Sequence, residues 1–148
     1  MKHPERIELA PGYSISRIIT GLWQVADIEK EDGSMDLGPA ASALVDYAES
    51  GFDTFDMADH YGSAELIAGH ARRKMQENDS ANRPSSQARF HTKWCPKPGE
   101  MTPQKVREGV LLSAERLDTQ QIDLMQFHWW NYEHPQYLDA MEGLQALK

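Results

Sequence analysis

Hydrophobic positions along this chain switch repeatedly between two periods, short β-rich runs alternating with stretches whose apolar residues recur three and four apart. The first runs, Arg6–Leu9 and Tyr13–Ser16, flank Ala10-Pro11-Gly12, and alternation around a Pro-Gly turn predicts a β-hairpin. Ile18-Ile19, ending at Thr20-Gly21, predicts a first buried strand. After a polar loop, Pro39 is expected to open a helix with Ala41, Leu44, Val45 and Ala48 on one face, and Gly51 sits where a C-terminal cap belongs. Phe52–Met57 predicts a second strand, and Ala64, Ile67, Ala68 and Ala71 repeat the helical spacing. Residues 77–88, rich in Asn and Ser and broken by Pro84, read as a surface insertion. Arg89–Lys93 predicts a third strand. Thr102-Pro103 then starts a helix with Val106, Val110, Ala114 and Leu117 inward, an N-cap threonine followed by a first-turn proline. Ile122–Phe127 predicts a fourth strand, and Pro135 a fourth helix running through Leu147. No cap, glycine or polar tail precedes the end at Lys148, so the expectation is a chain cut inside a helix.

Four βα units in succession imply a parallel sheet, either doubly wound or rolled into a TIM barrel. Thr20-Gly21-Leu22-Trp23-Gln24 is not the glycine-rich phosphate fingerprint, which weakens a Rossmann reading. A hydrophobic content of 40% with 26% charged residues fits a globular domain. The net charge of −8 would repel a phosphate backbone, so nucleic acid is not an expected partner. Neither a signal peptide nor a membrane-span length of apolar residues is visible, and a single cysteine, Cys95, allows no internal disulfide. A reducing cytoplasm is the expected compartment.

Reactive groups of parallel α/β folds gather at the carboxyl ends of the strands. Those ends carry Trp23, Asp56 with Tyr61 just beyond it, Lys93 and His128. Taken singly, each has a bland explanation: a packing tyrosine, a solvated lysine, a turn-capping aspartate, a core histidine. Taken together they are harder to dismiss. An aspartate and a lysine that bury together must pair, and an ammonium beside a phenol makes it a stronger acid, hence a competent proton donor. A metal-dependent barrel hydrolase could draw on His60, His91, His128, His134, Asp56 and Asp59. It lacks a His-x-His pair on the first strand and any helical ligand spacing, so no metal is expected. Cys95 reads as an ordinary cysteine.

The run Gly51-Phe52-Asp53-Thr54-Phe55-Asp56-Met57-Ala58-Asp59-His60-Tyr61-Gly62-Ser63-Ala64-Glu65 resembles the signature of the aldo-keto reductases. Thr92-Lys93-Trp94 is similar to that family's strand-three lysine, and Asp123–Trp129 to its strand-four histidine segment. The resemblance spans the chain apart from the insertion, and it implies an N-terminal portion, residues 1–148, of a TIM (β/α)₈ barrel with its hairpin and about four βα units. It further implies reduction of aldehydes or ketones by hydride from a nicotinamide, with NADPH the expected cofactor and NADH left open. In that scheme Tyr61 protonates the carbonyl oxygen, Lys93 and Asp56 tune it, and His128 orients the substrate. Trp23 and Trp129, with Tyr61 and His128, would line the substrate mouth. Gly21, Leu22, Trp23 and Asp56 would stand beside the cofactor.

A full barrel takes about 250 residues, and in relatives the main cofactor grip lies in the second half. Two alternatives therefore accompany the reductase reading. One is a non-catalytic NADPH-binding subunit. The other is a half barrel that associates with itself or a partner through open sheet edges.

Overall fold

Pro11 and Gly12 reverse the chain as the pattern predicts, joining β1 (Arg6–Ala10) to β2 (Tyr13–Ser16) in an antiparallel pair with Ile7 opposite Ile15. This is seen in a computed structural model that describes residues 3–26, 36–77 and 88–148. The expected insertion at 77–88 lies, except for its two end residues, outside the described residues.

The remaining strands are β3 (Thr20–Gly21), β4 (Thr54–Asp56), β5 (Arg89–Trp94) and β6 (Leu124–Phe127), all parallel and ordered β3-β4-β5-β6. Between them run α1 (Leu37–Glu49), α2 (Ala64–Glu77) and α3 (Pro103–Arg116), with α4 (Tyr137–Ala146) following β6. Strand order equals chain order, without the reversal that a doubly wound sheet requires. Each helix packs on the next, α1 on α2, α2 on α3, α3 on α4, so the helices form one layer. The sheet is singly wound, the arrangement of consecutive units in a (β/α)₈ barrel. Among the described residues no helix is long and apolar enough to cross a membrane.

Local chemistry explains where the elements begin. The Asp36 side chain accepts from Gly38 N at 2.9 Å, so α1 starts at Leu37, ahead of the expected Pro39, which falls harmlessly in the first turn. Thr102 caps α3 as anticipated, accepting from Lys105 N at 3.2 Å. Gly51 takes φ +89° after α1, a conformation costly for any residue with a Cβ. The helix expected from Pro135 begins at Tyr137. The first strand expected from Ile18-Ile19 to Thr20-Gly21 is shorter than expected and not buried. Pairing is confined to Thr20-Gly21, and the two isoleucines are 57% and 44% exposed beside a strand that, among the described residues, has a partner on one side only.

Alternation along the strands divides the residues between two faces. Phe55 and Phe90 stack at 5.2 Å between ring centroids in a core completed by Leu44, Ile67, Ala68, Ala71 and Leu117. Trp94 joins a second core with Met101, Val106, Trp129 and Ala140. Thr54, Asp56, His91 and Lys93 alternate with these and belong to the opposite face. The hairpin fastens the early end of that face. Arg6 pairs with buried Asp53, Ser16 N donates to Thr54 Oγ1 at 3.0 Å, and the Tyr13 hydroxyl lies 2.9 Å from His91 Nε2.

Candidate active site

Four groups meet at the carboxyl ends of the first three parallel strands. Thr54–Asp56 is a strand of three residues, and its register against β5 sets Asp56 beside His91, one alternation before Lys93. The Lys93 ammonium reaches across to Asp56 Oδ2 at 2.6 Å and donates to Met57 O at 2.9 Å. From there Nζ stands 5.4 Å from the centre of the Tyr61 ring. Trp23, carried on the turn after β3, meets Tyr61 edge-on with centroids 4.7 Å apart. With two acceptors already filled by Asp56 and Met57, the charged amine is held in place rather than free to wander.

Tyr61 sits in a loop that is tied down on several sides. Asp59 N donates to Lys93 O at 2.9 Å, and Asp59 Oδ2 accepts from Cys95 N at 3.0 Å, joining the loop to the end of β5. Tyr61 N donates to Ala58 O at 3.1 Å, and Ala64 N donates to Tyr61 O at 2.9 Å as α2 begins. Behind the loop, Glu65 is 2% exposed and accepts from Thr92 Oγ1 at 2.6 Å and Arg116 Nη1 at 3.2 Å. The same Arg116 nitrogen donates to Asp59 O at 3.1 Å. A buried carboxylate with both oxygens engaged is tolerable, and here it couples β5, α2 and α3 to the tyrosine-bearing loop. In the sequence Glu65 is only the last residue of the signature run, and its place in the first turn of α2, four residues past Tyr61, is the one signal of this role.

The other expected positions lie as follows. Leu22, expected beside the cofactor, has its side chain fully buried in the core and its backbone N–H bonded to Asp56 O at 2.9 Å. Gly21, by contrast, is open, since a Cβ there would meet nothing within 4 Å. Trp129, expected to line the mouth, is 5% exposed, packed against Phe127 and Tyr137 with its indole N–H bonded to Asn131 O at 2.6 Å. Its neighbour Trp130 is 68% exposed and stacked on His128 at 4.1 Å. His128 stands at the end of β6, its backbone N–H bonded to Trp94 O at 2.9 Å. Among the described residues no hydrogen bond or ring contact joins it to Tyr61 or Lys93. The structure thus brings Asp56, Lys93, Tyr61 and Trp23 into one cluster and leaves His128 at its border.

Cys95 lies against this cluster. Burial first, then the Asp59 carboxylate, push its thiol up to about 11 against the pull of Lys93. It is therefore a neutral thiol at physiological pH and no ready nucleophile.

Comparison with known proteins follows the same lines. The profile described as the aldo/keto reductase family matches residues 17–148. An aldo-keto reductase of Bombyx mori, solved in complex with NADP, superposes with a TM-score of 0.70 at 20% identity, covering 99% of this chain and 47% of that one. An aldo/keto reductase from Brucella melitensis gives a TM-score of 0.64 at 19% identity, covering 99% and 50%. An aldo-keto reductase enzyme from a Medee basin deep-sea metagenome library gives 0.63 at 20% identity, covering 97% and 45%. The chain thus spans about half the length of the structures it matches. No curated protein matches it.

Proposed function

Because the chain belongs to the aldo/keto reductase family, we propose that its residues supply the proton-delivering side of a nicotinamide-dependent carbonyl reductase. The observation that carries this reading is the Lys93 ammonium, 2.6 Å from Asp56 Oδ2 and 5.4 Å from the centre of the Tyr61 ring. Tyr61 gives its phenolic proton to the oxygen of an aldehyde or ketone as the carbonyl carbon is reduced. The Lys93 charge stabilises the phenolate that remains, and Asp56 keeps that charge at the ring instead of in solvent. Trp23, edge-on to the phenol, shields it from water and presents an apolar surface to the substrate. His128, at the end of the neighbouring strand, orients the carbonyl oxygen.

Cofactor fit rests on Gly21. The open space over it lies at the end of β3, opposite Asp56 in the strand register, and suits the flat edge of a nicotinamide. Gly21, Trp23 and Asp56 would hold one side of the ring; the backbone of Leu22 continues that wall while its side chain does not. When bound, the dinucleotide supplies the hydride. NADPH is the proposed form, since NADP accompanies the similar Bombyx mori structure. The proposed setting is the cytoplasm, with a small carbonyl compound as substrate.

The test uses the protein that carries these residues. NADPH is titrated against tryptophan fluorescence, and reduction of an aromatic aldehyde is followed by nicotinamide absorbance. Tyr61→Phe should lower turnover by about 10²- to 10⁴-fold, the usual worth of a general acid, with NADPH affinity little changed. Undiminished turnover in Tyr61→Phe would remove the phenol from the mechanism.

A further inference from the structure

We propose that Asp59, His60 and Cys95 form a binding site for one divalent transition-metal ion of the zinc class, beside the tyrosine-bearing loop. Asp59 and His60 precede Tyr61 in the loop after β4, and Cys95 is the first residue beyond β5. One donor atom of each lies within 4.8 Å of the other two. In a tetrahedral site with bonds of about 2.0–2.3 Å, donors stand roughly 3.3–3.7 Å apart, so closure asks for about an ångström of movement. His60 can provide it. Its side chain is 43% exposed, and its Nδ1 is already 3.0 Å from Asp59 Oδ1. The other two are pre-set by the backbone, because Asp59 Oδ2 accepts from Cys95 N and Asp59 N donates to Lys93 O.

The donor set also selects the ion. Thiolate, carboxylate and neutral imidazole carry two negative charges between them, which cancels a divalent cation. A mixture of sulfur, nitrogen and oxygen favours zinc or cobalt over calcium or magnesium, which prefer oxygen alone. Coordination displaces the Cys95 thiol proton to solvent. With three protein donors and an exposed histidine, the fourth position is open to water, as in an exchangeable rather than a purely structural site.

A bound ion would act on the neighbouring tyrosine. The His60 ring meets the Tyr61 ring edge-on at 4.9 Å, and Cys95 lies two residues past Lys93. Pulling His60 onto the metal draws the loop toward β5 and shifts the phenol against its ammonium partner, so zinc inhibits carbonyl reduction. That consequence rests on the reductase reading. The binding site does not, and the two are tested separately.

Binding is read with cobalt(II) added to the reduced, chelator-stripped protein. One equivalent should give a thiolate-to-cobalt charge-transfer band and the visible absorption of tetrahedral cobalt, both abolished by zinc. Cys95→Ser should lose the charge-transfer band. His60→Gln, a surface change that should leave folding intact, and Asp59→Asn should each weaken binding by at least about tenfold, the low end of what even indirect supporting groups contribute. Failure of cobalt to give either signal, or spectra and affinities unchanged in Cys95→Ser and His60→Gln, would overturn the site. Turnover is then assayed with zinc and with excess chelator. Reversible loss of activity in the parent but not in His60→Gln supports inhibition, and cobalt binding with undiminished turnover in zinc would overturn inhibition alone.

Discussion

Below the cluster of Asp56, Lys93 and Tyr61, on the same face of the sheet, Tyr13 and His91 form a polar contact whose two partners make stability depend on pH in opposite directions. Burial holds the His91 imidazole below its ordinary 6.5, so the unfolded chain takes up a proton that the folded chain resists. Stability is therefore full above about 6.5 and declines as pH falls from there toward the lower folded value. Tyr13 works in the opposite sense. Burial, then the Asp123 carboxylate, raise its phenol from 10.0 to about 12, so stability is full below 10.0 and is lost as pH rises toward about 12. Melting temperatures across these two windows should show both declines. His91→Asn should flatten the acid limb and Tyr13→Phe the alkaline one; limbs unchanged in the variants would place the effect elsewhere. Asp56, Tyr61 and Lys93 were legible in the sequence because each sits at, or just past, a strand end that periodicity could locate. The adjacent indoles were not. Trp129 and Trp130 follow the strand in irregular backbone, where no period tells which ring turns inward, and the packing of Phe127 and Tyr137 decides it.

Between elements, charge and close approach do the fastening. Asp123, just before β6, accepts from Phe90 N at 3.0 Å and from Arg72 at 2.8 Å, with Arg89 at 3.5 Å. Its side chain is 13% exposed, so removing it strands two guanidinium groups in partly dry surroundings. Asp123→Ala should cost about 3–5 kcal/mol in chemical denaturation. α2 approaches the end of α3 so closely that a Cβ on Gly69 would stand 2.2 Å from Arg116 O. Gly69→Ala should therefore destabilise by about 1–3 kcal/mol, despite the gain in helix propensity, and a raised melting temperature would show that the helices part freely. Element types were readable from periodicity, whereas their ends were set by single contacts. The Asp36 cap moves the start of α1 to Leu37, and β3 shrinks because an edge strand lacks a second partner to hold Ile18 and Ile19.

At the scale of the molecule, the sequence left two ways to wind a parallel sheet, because hydrophobic patterning records that strands are buried and not which lie side by side. The unreversed order β3-β4-β5-β6 decides it. Among the described residues, that order leaves β3 and β6 each paired on one side only, near exposed Ile18 and Ile19 at one edge, with Trp130, Leu138 and Met141 exposed beyond the other. These 148 residues studied by themselves should associate as concentration rises, with sedimentation velocity as the measurement. A single monomeric species throughout would show that the edges are adequately shielded.

The hairpin has a further consequence for how the chain comes together. Arg6 waits for Asp53, and Tyr13 for His91, so the hairpin is made before the residues that secure it. Until the third parallel strand emerges, β1 and β2 have little to close over, and the stretch that will seal one end of the fold stays available to chaperones and proteases.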